Sequence, residues 1–184
     1  MENHLGGHNN TTWIDEGCLS YLVETFAVAS MVDIGCGTGG MKEVAAHLEV
    51  DWLGMDGDPS VRQDGVLIYD FTKGCPVQER VQFDLGWSIE FLEHVEEQYM
   101  DNYMEVFSRC RHIVCTAAPP GFGGHHHVNE QANDYWIAKF KERGMYYDSA
   151  ITMAMKKRST MKRKRKRSTP KSFMELTGMY FRNK

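Results

Sequence analysis

The stretch VDIGCGTGG at 32–40 constrains the fold more than any other part of the chain. It follows a short apolar run, SMVDI, and precedes GMKEVAAHL, so the pattern predicts a glycine-rich turn between a buried strand and a helix. Glycines at 35, 37 and 39 allow the backbone to turn tightly and to approach a ligand closely. The following helix offers free N–H groups to a polar ligand. The segment therefore predicts a strand–loop–helix unit that holds a small polar ligand.

The remainder of the chain alternates between helical and extended patterns. The predicted helices span 14–27, 40–48, 95–108 and 132–143. The predicted strands span 30–34, 51–56, 66–71, 81–88, 112–117, 145–155 and 176–182. This alternation indicates an α/β layer fold with a largely parallel sheet. The second, third and fourth strands are joined by links of only about ten residues, so helices there should be short or missing.

Length and composition bound the class of protein. The 184 residues fit one domain over 1–184, and 42% apolar with 25% charged residues argues against gross disorder. No uncharged apolar run approaches the ~20 residues that cross a bilayer, and MENHLGGHNN lacks the apolar core of a signal peptide. Five scattered cysteines form no disulfide or zinc pattern. We therefore expect a soluble cytoplasmic protein with reduced thiols and no membrane partner.

One segment carries an unusual charge. Residues 156–171 contain ten Lys and Arg and no acid, whereas the remainder has 11 Lys and Arg against 25 Asp and Glu. The segment is predicted to be a basic insertion between the last two strands that contacts polyanions such as nucleic acid. It contains no aromatic residue on which bases could stack, so a solvated loop is the alternative.

The glycine turn matches two ligand patterns. Gly35, Gly37 and Gly40 satisfy the dinucleotide pattern G-x-G-x-x-G, which leaves an NAD(P)-binding oxidoreductase as an alternative. Asp33 followed by Gly35, Gly37 and Gly39 matches the D-x-G-x-G-x-G loop of enzymes that use S-adenosylmethionine (SAM). A carboxylate at the strand end favours SAM, because it attracts the ammonium group of a methionine moiety and repels a pyrophosphate.

With these residues the chain resembles the class I SAM-dependent methyltransferases over nearly all of its length. The resemblance implies a Rossmann-like seven-stranded sheet in the order 3-2-1-4-5-7-6, with strand seven antiparallel. It implies that Asp56 in LGMDGDP holds the ribose hydroxyls and that Asp70 lies beside the adenine. The predicted cofactor-binding residues are Asp33, Gly35, Cys36, Gly37, Thr38, Gly39, Asp56, Gly57, Asp58, Asp70, Phe71 and Ser88. The segments FDLGWSIEFLEHVEE, TAAPPG and GGHHHVNEQ resemble phage-encoded methyltransferases in particular, which implies a host cytoplasm.

A second motif follows the fourth strand. If SIEFLEHVEE opens a helix, Glu90, Glu93 and His94 share one face, and two carboxylates with an imidazole could hold Mg2+ or Mn2+. E-x-x-E-H at this position resembles the O-methyltransferases of ubiquinone biosynthesis and the small-RNA 3′-terminal 2′-O-methyltransferases. The latter add a histidine ligand, and His127 matches it best, so the predicted metal ligands are Glu90, Glu93, His94 and His127.

The three adjacent histidines are the predicted catalytic residues, since a metal-free enzyme could use one of them as a general base. They are His125, His126 and His127. The predicted function is methyl transfer from SAM to an oxygen or nitrogen of a small molecule, a sugar or RNA. WSIE stands where enzymes that methylate the amino groups of DNA bases carry N-P-P-Y or D-P-P-Y, which disfavours that activity. A non-catalytic SAM- or nucleic-acid-binding accessory protein is the other alternative.

Overall fold

Seven strands of the chain form one mixed sheet in a computed structural model that describes residues 5, 7–8, 11–77, 80–162 and 171–184. The strands are β1 Ser30–Ile34, β2 Asp51–Asp56, β3 Val66–Ile68, β4 Phe83–Ser88, β5 Cys110–Cys115, β6 Met145–Tyr147 and β7 Met179–Asn183. Their order is β3-β2-β1-β4-β5-β7-β6; the first five run parallel, and β7 is antiparallel to β5 and β6. The strand order and the orientation of β7 confirm the fold class that the resemblance implies.

Helices cover both faces of this sheet. They are α1 Glu16–Phe26, α2 Met41–His47, α3 Met100–Ser108, α4 Asn133–Glu142, α5 Ser149–Arg158 and α6 Phe173–Thr177. α3 and α4 bury Tyr103, Phe107 and Phe140 in one core cluster, whereas α1, α2, α5 and α6 contribute to a second cluster around Leu22 and Met155. Because the central strands β1, β4 and β5 are covered on both faces, most of their positions are buried, as in other parallel sheets.

The predicted strand over 145–155 is wrong. The strand β6 ends at Tyr147, and Ser149–Arg158 is the helix α5. The side chain of Asp148 accepts hydrogen bonds from the backbone N–H groups of Ala150 and Ile151 at 3.0 and 3.1 Å, which caps the first turn of the helix. The local capping signal therefore outweighed the apolar residues that suggested a strand.

Several other boundaries differ from the expected ones. The third strand ends at Ile68 rather than at residue 71, because the Asp70 side chain accepts from the N–H of Thr72 and opens the 3-10 turn Phe71–Lys73. The helix expected over 95–108 begins at Met100, after two further 3-10 turns, Leu92–His94 and Glu97–Tyr99. The links between β2, β3 and β4 contain no α-helix in their described residues, as predicted.

The first residues of the basic segment lie beside the start of α1. The buried side chain of Asp15 accepts hydrogen bonds from Ser159 Oγ at 2.5 Å and from the N–H of Thr160 at 2.8 Å. The prediction for 156–171 falls partly outside the described residues, which omit 163–170. The segment does lie between β6 and β7, and its first three cations form the last turn of α5. Within the described residues, no helix is both long and apolar enough to span a membrane.

Candidate functional site

A cavity of about 560 Å³ opens at the carboxyl ends of the parallel strands. This edge is where open α/β sheets bind their ligands. The cavity brings together most of the residues predicted from the sequence: Asp33, Gly35, Cys36, Gly37, Asp56, Gly57, Asp70, Phe71, Glu90, Glu93, His94, His125, His126 and His127. The glycine turn and the carboxylate–histidine motif therefore face one space.

The glycine turn is held against β2 by backbone hydrogen bonds. The N–H groups of Gly35 and Cys36 both donate to the Met55 carbonyl, at 2.8 and 3.1 Å. The N–H of Gly37 donates to Asp56 Oδ2 at 2.7 Å, and Asp56 Oδ1 accepts from the N–H of Asp58 at 2.9 Å. Asp56 thus fixes two turns at once. A carboxylate offers about four acceptor positions, so it retains capacity for further donors from the cavity.

Asp33 lies at the end of β1 and is 4% exposed. Its Oδ2 accepts from the indole Nε1–H of Trp52 at 3.3 Å. Burial raises the pKa of Asp33 to about 7, opposed by the Trp52 hydrogen bond and assisted by the nearby charge of Asp56. A positive group in the cavity would favour the ionised form of this carboxyl.

Asp70 and Phe71 form another part of the wall. Asp70 is half-buried, and the Phe71 ring is buried and packs edge-on against Tyr69 and Phe91, with centroids 5.9 and 5.6 Å away. This wall combines an apolar aromatic surface with one carboxylate, which suits a flat polar ring.

Four predicted cofactor-binding residues do not line the cavity: Thr38, Gly39, Asp58 and Ser88. The hydroxyl of Ser88 donates to the Ile34 carbonyl at 2.8 Å and joins β4 to β1 instead. Asp58 Oδ2 lies 3.0 Å from His8 Nε2, and its Oδ1 accepts from the N–H of Ser60. Ser88 thus joins two strands and Asp58 stabilises a neighbouring turn, and neither side chain forms part of the wall.

Glu93, His94 and His127 form a compact cluster in the lining of the same cavity. One ligand atom from each side chain lies within 4.8 Å of the others, and the two imidazole rings meet edge-on with centroids 4.8 Å apart. Glu93 is fully buried, and among the described residues neither carboxylate oxygen has a hydrogen-bond partner of good geometry. An unpartnered buried carboxylate is costly, so this arrangement suits a bound cation.

The charges within the cluster follow from its surroundings. Burial raises the pKa of Glu93 to about 7, although the backbone amides of Glu93 and Ala118 oppose the shift. Burial lowers the pKa of His94 to about 4, with smaller contributions from the neighbouring histidines, the largest from His127. His94 is therefore neutral at pH 7, which is the form that binds metals.

Glu90 does not join this cluster. The helix that would have placed Glu90 on one face with Glu93 and His94 is absent, because Glu90 adopts a positive φ of 56° ahead of the turn Leu92–His94. Its backbone N–H donates to Thr116 Oγ1 at 2.9 Å, and the Thr116 hydroxyl donates to Glu90 Oε1 at 2.9 Å. These hydrogen bonds to Thr116, which follows β5, hold the Glu90 side chain apart from the other predicted ligands.

The loop after β5 supplies the three histidines. His125 is exposed and His126 is half-buried with a positive φ of 49°, and both line the cavity. His127 Nδ1 lies 2.8 Å from Glu130 Oε1. All three predicted catalytic histidines thus reach the cavity, whereas only His127 belongs to the cluster with Glu93.

The cavity also has an aromatic wall, which the sequence did not predict as a unit. Trp13, Phe122 and Phe173 line the cavity, and Phe173 packs edge-on against the other two with centroids 4.8 and 5.7 Å apart. They come from three distant parts of the chain, so no local motif joins them. The sequence signal is weak: Phe173 lies two residues after the basic segment, and Phe122 lies three residues before the first of the histidines.

Comparisons with known proteins agree with the fold. No family model matches the sequence, and no curated protein matches it. Among solved structures, magnesium protoporphyrin IX methyltransferase (ChlM) from Synechocystis PCC 6803 with bound SAM is 14% identical, with a TM-score of 0.61 over 90% of this chain and 76% of that chain. The plantazolicin methyltransferase BpumL, in complex with S-adenosylhomocysteine (SAH), is 14% identical, with a TM-score of 0.56 over 92% and 82%.

A third similar structure is the methyltransferase domain of bacterial CtHen1-CN. It is 11% identical, with a TM-score of 0.55 over 90% of this chain and 95% of that chain. At these identities the likeness concerns architecture, and it agrees with the strand order described above. The chain therefore has the Rossmann-like fold of the class I SAM-dependent methyltransferases.

Proposed function

We propose that the protein is a SAM-dependent methyltransferase that acts on an oxygen or nitrogen of a small molecule, a sugar or RNA, with a divalent cation at the acceptor. The observation that carries this proposal is that the glycine turn and the Glu93–His94–His127 cluster line a single cavity. One end offers acceptors to a cationic, ribose-containing molecule, and the other offers ligands to a metal. Methyl donor and acceptor could therefore meet between them.

The residues at the first end fit SAM. The ammonium of the methionine moiety would give the buried carboxyl of Asp33 a positive partner. Asp56 would accept hydrogen bonds from the ribose hydroxyls while it holds the glycine turn. Phe71 would pack against the adenine ring beside Asp70. A dinucleotide would instead place its pyrophosphate near Asp33, which would repel it.

The residues at the second end fit Mg2+ or Mn2+. Glu93 would supply an anionic oxygen, and His94 and His127 would supply neutral imidazole nitrogens. When bound, the cation would lower the pKa of an acceptor hydroxyl. Glu90 lines the cavity near the cluster and remains tied to Thr116. In a metal-free reaction, His125, His126 or His127 would take the proton of the acceptor.

An acceptor that carries phosphates would also meet the basic segment. Lys156 and Lys157 stand at the end of α5, and Lys171 precedes Phe173 of the cavity wall by two residues. Burial, and then the charge of Lys171, lower the pKa of Lys156, so the two ends of the segment lie near one another. This placement supports contact between the segment 156–171 and a polyanion such as RNA.

The test is methyl transfer in the presence and absence of metal. Methyl-labelled SAM is incubated with fractionated small molecules, RNA and DNA from a cell extract. We expect labelled product that disappears with EDTA and returns with Mn2+, while SAH affinity measured by calorimetry changes little. Glu93→Gln should reproduce the chelated enzyme, because it removes the anionic ligand. The matched control Glu142→Gln changes an exposed carboxylate on α4 and should retain activity.

Two outcomes would contradict parts of the proposal. Full turnover of a metal-free preparation in EDTA would refute the metal and leave a histidine as the general base. Thermal stabilisation by NAD rather than by SAH, together with no labelled product in any fraction, would refute methyl transfer.

A further inference from the structure

We propose that Glu130 is a positioning residue that fixes the orientation and tautomer of His127, so that Nε2 of this imidazole carries the lone pair offered to the metal. The proposal rests on the proposed function of the Glu93–His94–His127 cluster. It concerns a residue outside that cluster, in the loop that joins β5 to α4. Three sets of contacts support it.

The first contact is the pairing of Glu130 with His127. Glu130 Oε1 lies 2.8 Å from His127 Nδ1, and the two side chains are only 16% and 11% exposed. An ionised carboxylate can only accept, so Nδ1 must donate its hydrogen to Glu130. The other ring nitrogen, Nε2, is then unprotonated. Carboxylates that accept from the distal nitrogen of a ligating histidine commonly fix its tautomer and ring orientation.

The second set of contacts fixes Glu130 itself. The N–H of Gly121 donates to Oε2 at 2.8 Å, and the N–H of Gly123 donates to Oε1 at 2.6 Å. The carboxylate therefore binds both sides of the turn that leads into the histidines. With three donors around it, Glu130 is held in place before any metal binds.

The third set of contacts ties the loop to the cluster. The N–H groups of Val128 and Asn129 both donate to the backbone carbonyl of Glu93 at 3.0 Å. The His127 side chain is thus held by Glu130, and the backbone that follows it is held by hydrogen bonds to Glu93. A Cβ at Gly124 would lie 2.1 Å from His127 Nε2, so the lack of a side chain at 124 leaves space at that nitrogen.

The test uses two variants of Glu130 and one matched control. Glu130→Ala removes all acceptors, whereas Glu130→Gln retains one neutral, weaker acceptor oxygen of similar shape. Glu142→Gln makes the same chemical change at an exposed position. Two quantities are measured on each protein: the tautomer of His127 by long-range 1H–15N NMR of histidine-labelled, metal-free protein, and Mn2+ affinity by calorimetry. SAH affinity is measured in parallel.

We expect wild-type His127 to carry its hydrogen on Nδ1. Glu130→Ala should shift the population towards the Nε2–H form and weaken Mn2+ binding about 10- to 100-fold, with SAH affinity unchanged. Glu130→Gln should fall between wild type and Glu130→Ala in both measurements, and Glu142→Gln should match wild type. Should Glu130→Ala not fold, a reduced Nδ1–H population with weaker Mn2+ binding in Glu130→Gln supports the proposal.

The proposal would be overturned if the folded Glu130 variants showed the same tautomer populations and the same Mn2+ affinity as the wild-type protein. An equal loss of SAH and Mn2+ affinity with no tautomer change would also overturn it, because Glu130 would then only support the loop. Failure of the wild-type protein to bind Mn2+ would refute the metal itself. The tautomer measurement would still decide whether Glu130 orients His127.

Discussion

At the scale of single residues, the buried carboxyls of Asp33 and Glu93 both line the cavity, and neither makes a salt bridge within the described chain. Burial raises the pKa of each to about 7, so each favours its neutral form more than an exposed acid does. Each carboxyl therefore reduces the stability of the empty protein at higher pH. A bound cationic group would offset the cost of ionising these buried carboxyls, so ligand binding should be coupled to their ionisation.

Asp33 gives a prediction about pH. Its pKa is about 7 in the folded chain against an ordinary value of 3.8, so between these values the folded state binds more protons than the unfolded state. The contribution of Asp33 to the free energy of unfolding therefore falls as pH rises from about 4 to about 7, by a few kcal/mol in all, on the order of 1.4 kcal/mol per pKa unit. Asp33→Asn should remove this slope, as measured by urea unfolding at a series of pH values.

The same residue should control the binding of the cofactor. SAH affinity in the wild-type protein should increase as pH rises towards about 7 and then level off, since the ammonium group needs the ionised Asp33. Asp33→Asn should bind weakly at every pH. The exposed Asp51, at the start of β2, supplies the matched control. Asp51→Asn should keep the wild-type pH dependence of both unfolding and SAH affinity. Identical unfolding profiles for wild type and Asp33→Asn would contradict the assignment.

At the scale of elements, the loop from β5 to α4 determines the second half of the site. It carries the aromatic side chain of Phe122, the three histidines and the carboxylate that holds His127. Its backbone returns to the Glu93 carbonyl through Val128 and Asn129. The loop and the turn after β4 thus form one hydrogen-bonded unit, and the geometry of the proposed metal site depends on both.

A substitution at Gly124 tests the role of this loop in the proposed metal site. Its φ lies outside the left-handed region, so alanine is allowed by the backbone, but the new Cβ would lie 2.1 Å from His127 Nε2. We expect Gly124→Ala to displace the imidazole and weaken Mn2+ binding about tenfold or more, by analogy with the loss of a supporting contact. SAH affinity should persist, because the glycine turn and its acids lie on other elements. Calorimetry with each ligand measures both effects.

The control for this variant is Gly144→Ala, in the turn before β6. Gly144 has a φ of 81°, and apart from its own chain neighbours no described residue has an atom within 4 Å of the position that a new Cβ would take. The substitution therefore strains the backbone by about 1–2 kcal/mol without touching the site. It should lower the thermal midpoint and leave Mn2+ affinity unchanged. A Gly124→Ala protein that binds Mn2+ as tightly as wild type would show that His127 is not a ligand.

At the scale of the whole molecule, an acidic body carries one basic segment near its cavity. Near the start of the segment, Ser159 and Thr160 donate hydrogen bonds to Asp15. After its end, the chain enters the capped helix α6, whose first residue, Phe173, lines the cavity. Met161 and Phe173 are both buried in the second core cluster, so the segment is attached beside the proposed acceptor site. A polyanionic acceptor could therefore contact the segment and the cavity together.

The charge of this segment predicts a strong dependence on salt. If it engages about six phosphates, affinity for RNA should fall ~10³-fold or more between about 50 and 200 mM salt. Changing residues 162–167 to serine should abolish most RNA binding and leave SAH affinity intact. Serine at the exposed positions Arg62, Arg80 and Lys141 is the control and should have a much smaller effect. Equal RNA binding by the 162–167 variant and wild type would show that the segment is only a loop.

Local sequence patterns and the family resemblance were sufficient to predict the fold class and one part of the cavity wall. The glycine turn, Asp33, Asp56 and Asp70 each lie at or just after the end of a strand, and the carboxyl ends of parallel strands share one edge. Such residues are placed by the strand that they follow, so a local pattern is enough to predict where they lie. The strand order followed from the resemblance and is confirmed.

The tertiary structure alone decided where individual side chains point and which distant segments meet. Ser88 and Glu90 lie at the end of β4 and just beyond it as predicted. Their side chains, however, form hydrogen bonds with Ile34 in β1 and with Thr116 just after β5, which no local spacing reveals. The pairing of Glu93 with His127 depends on backbone bonds between two loops. The physical reason is that side-chain direction follows from backbone torsion angles and from hydrogen-bond partners supplied by other strands, which become available only when the sheet has formed.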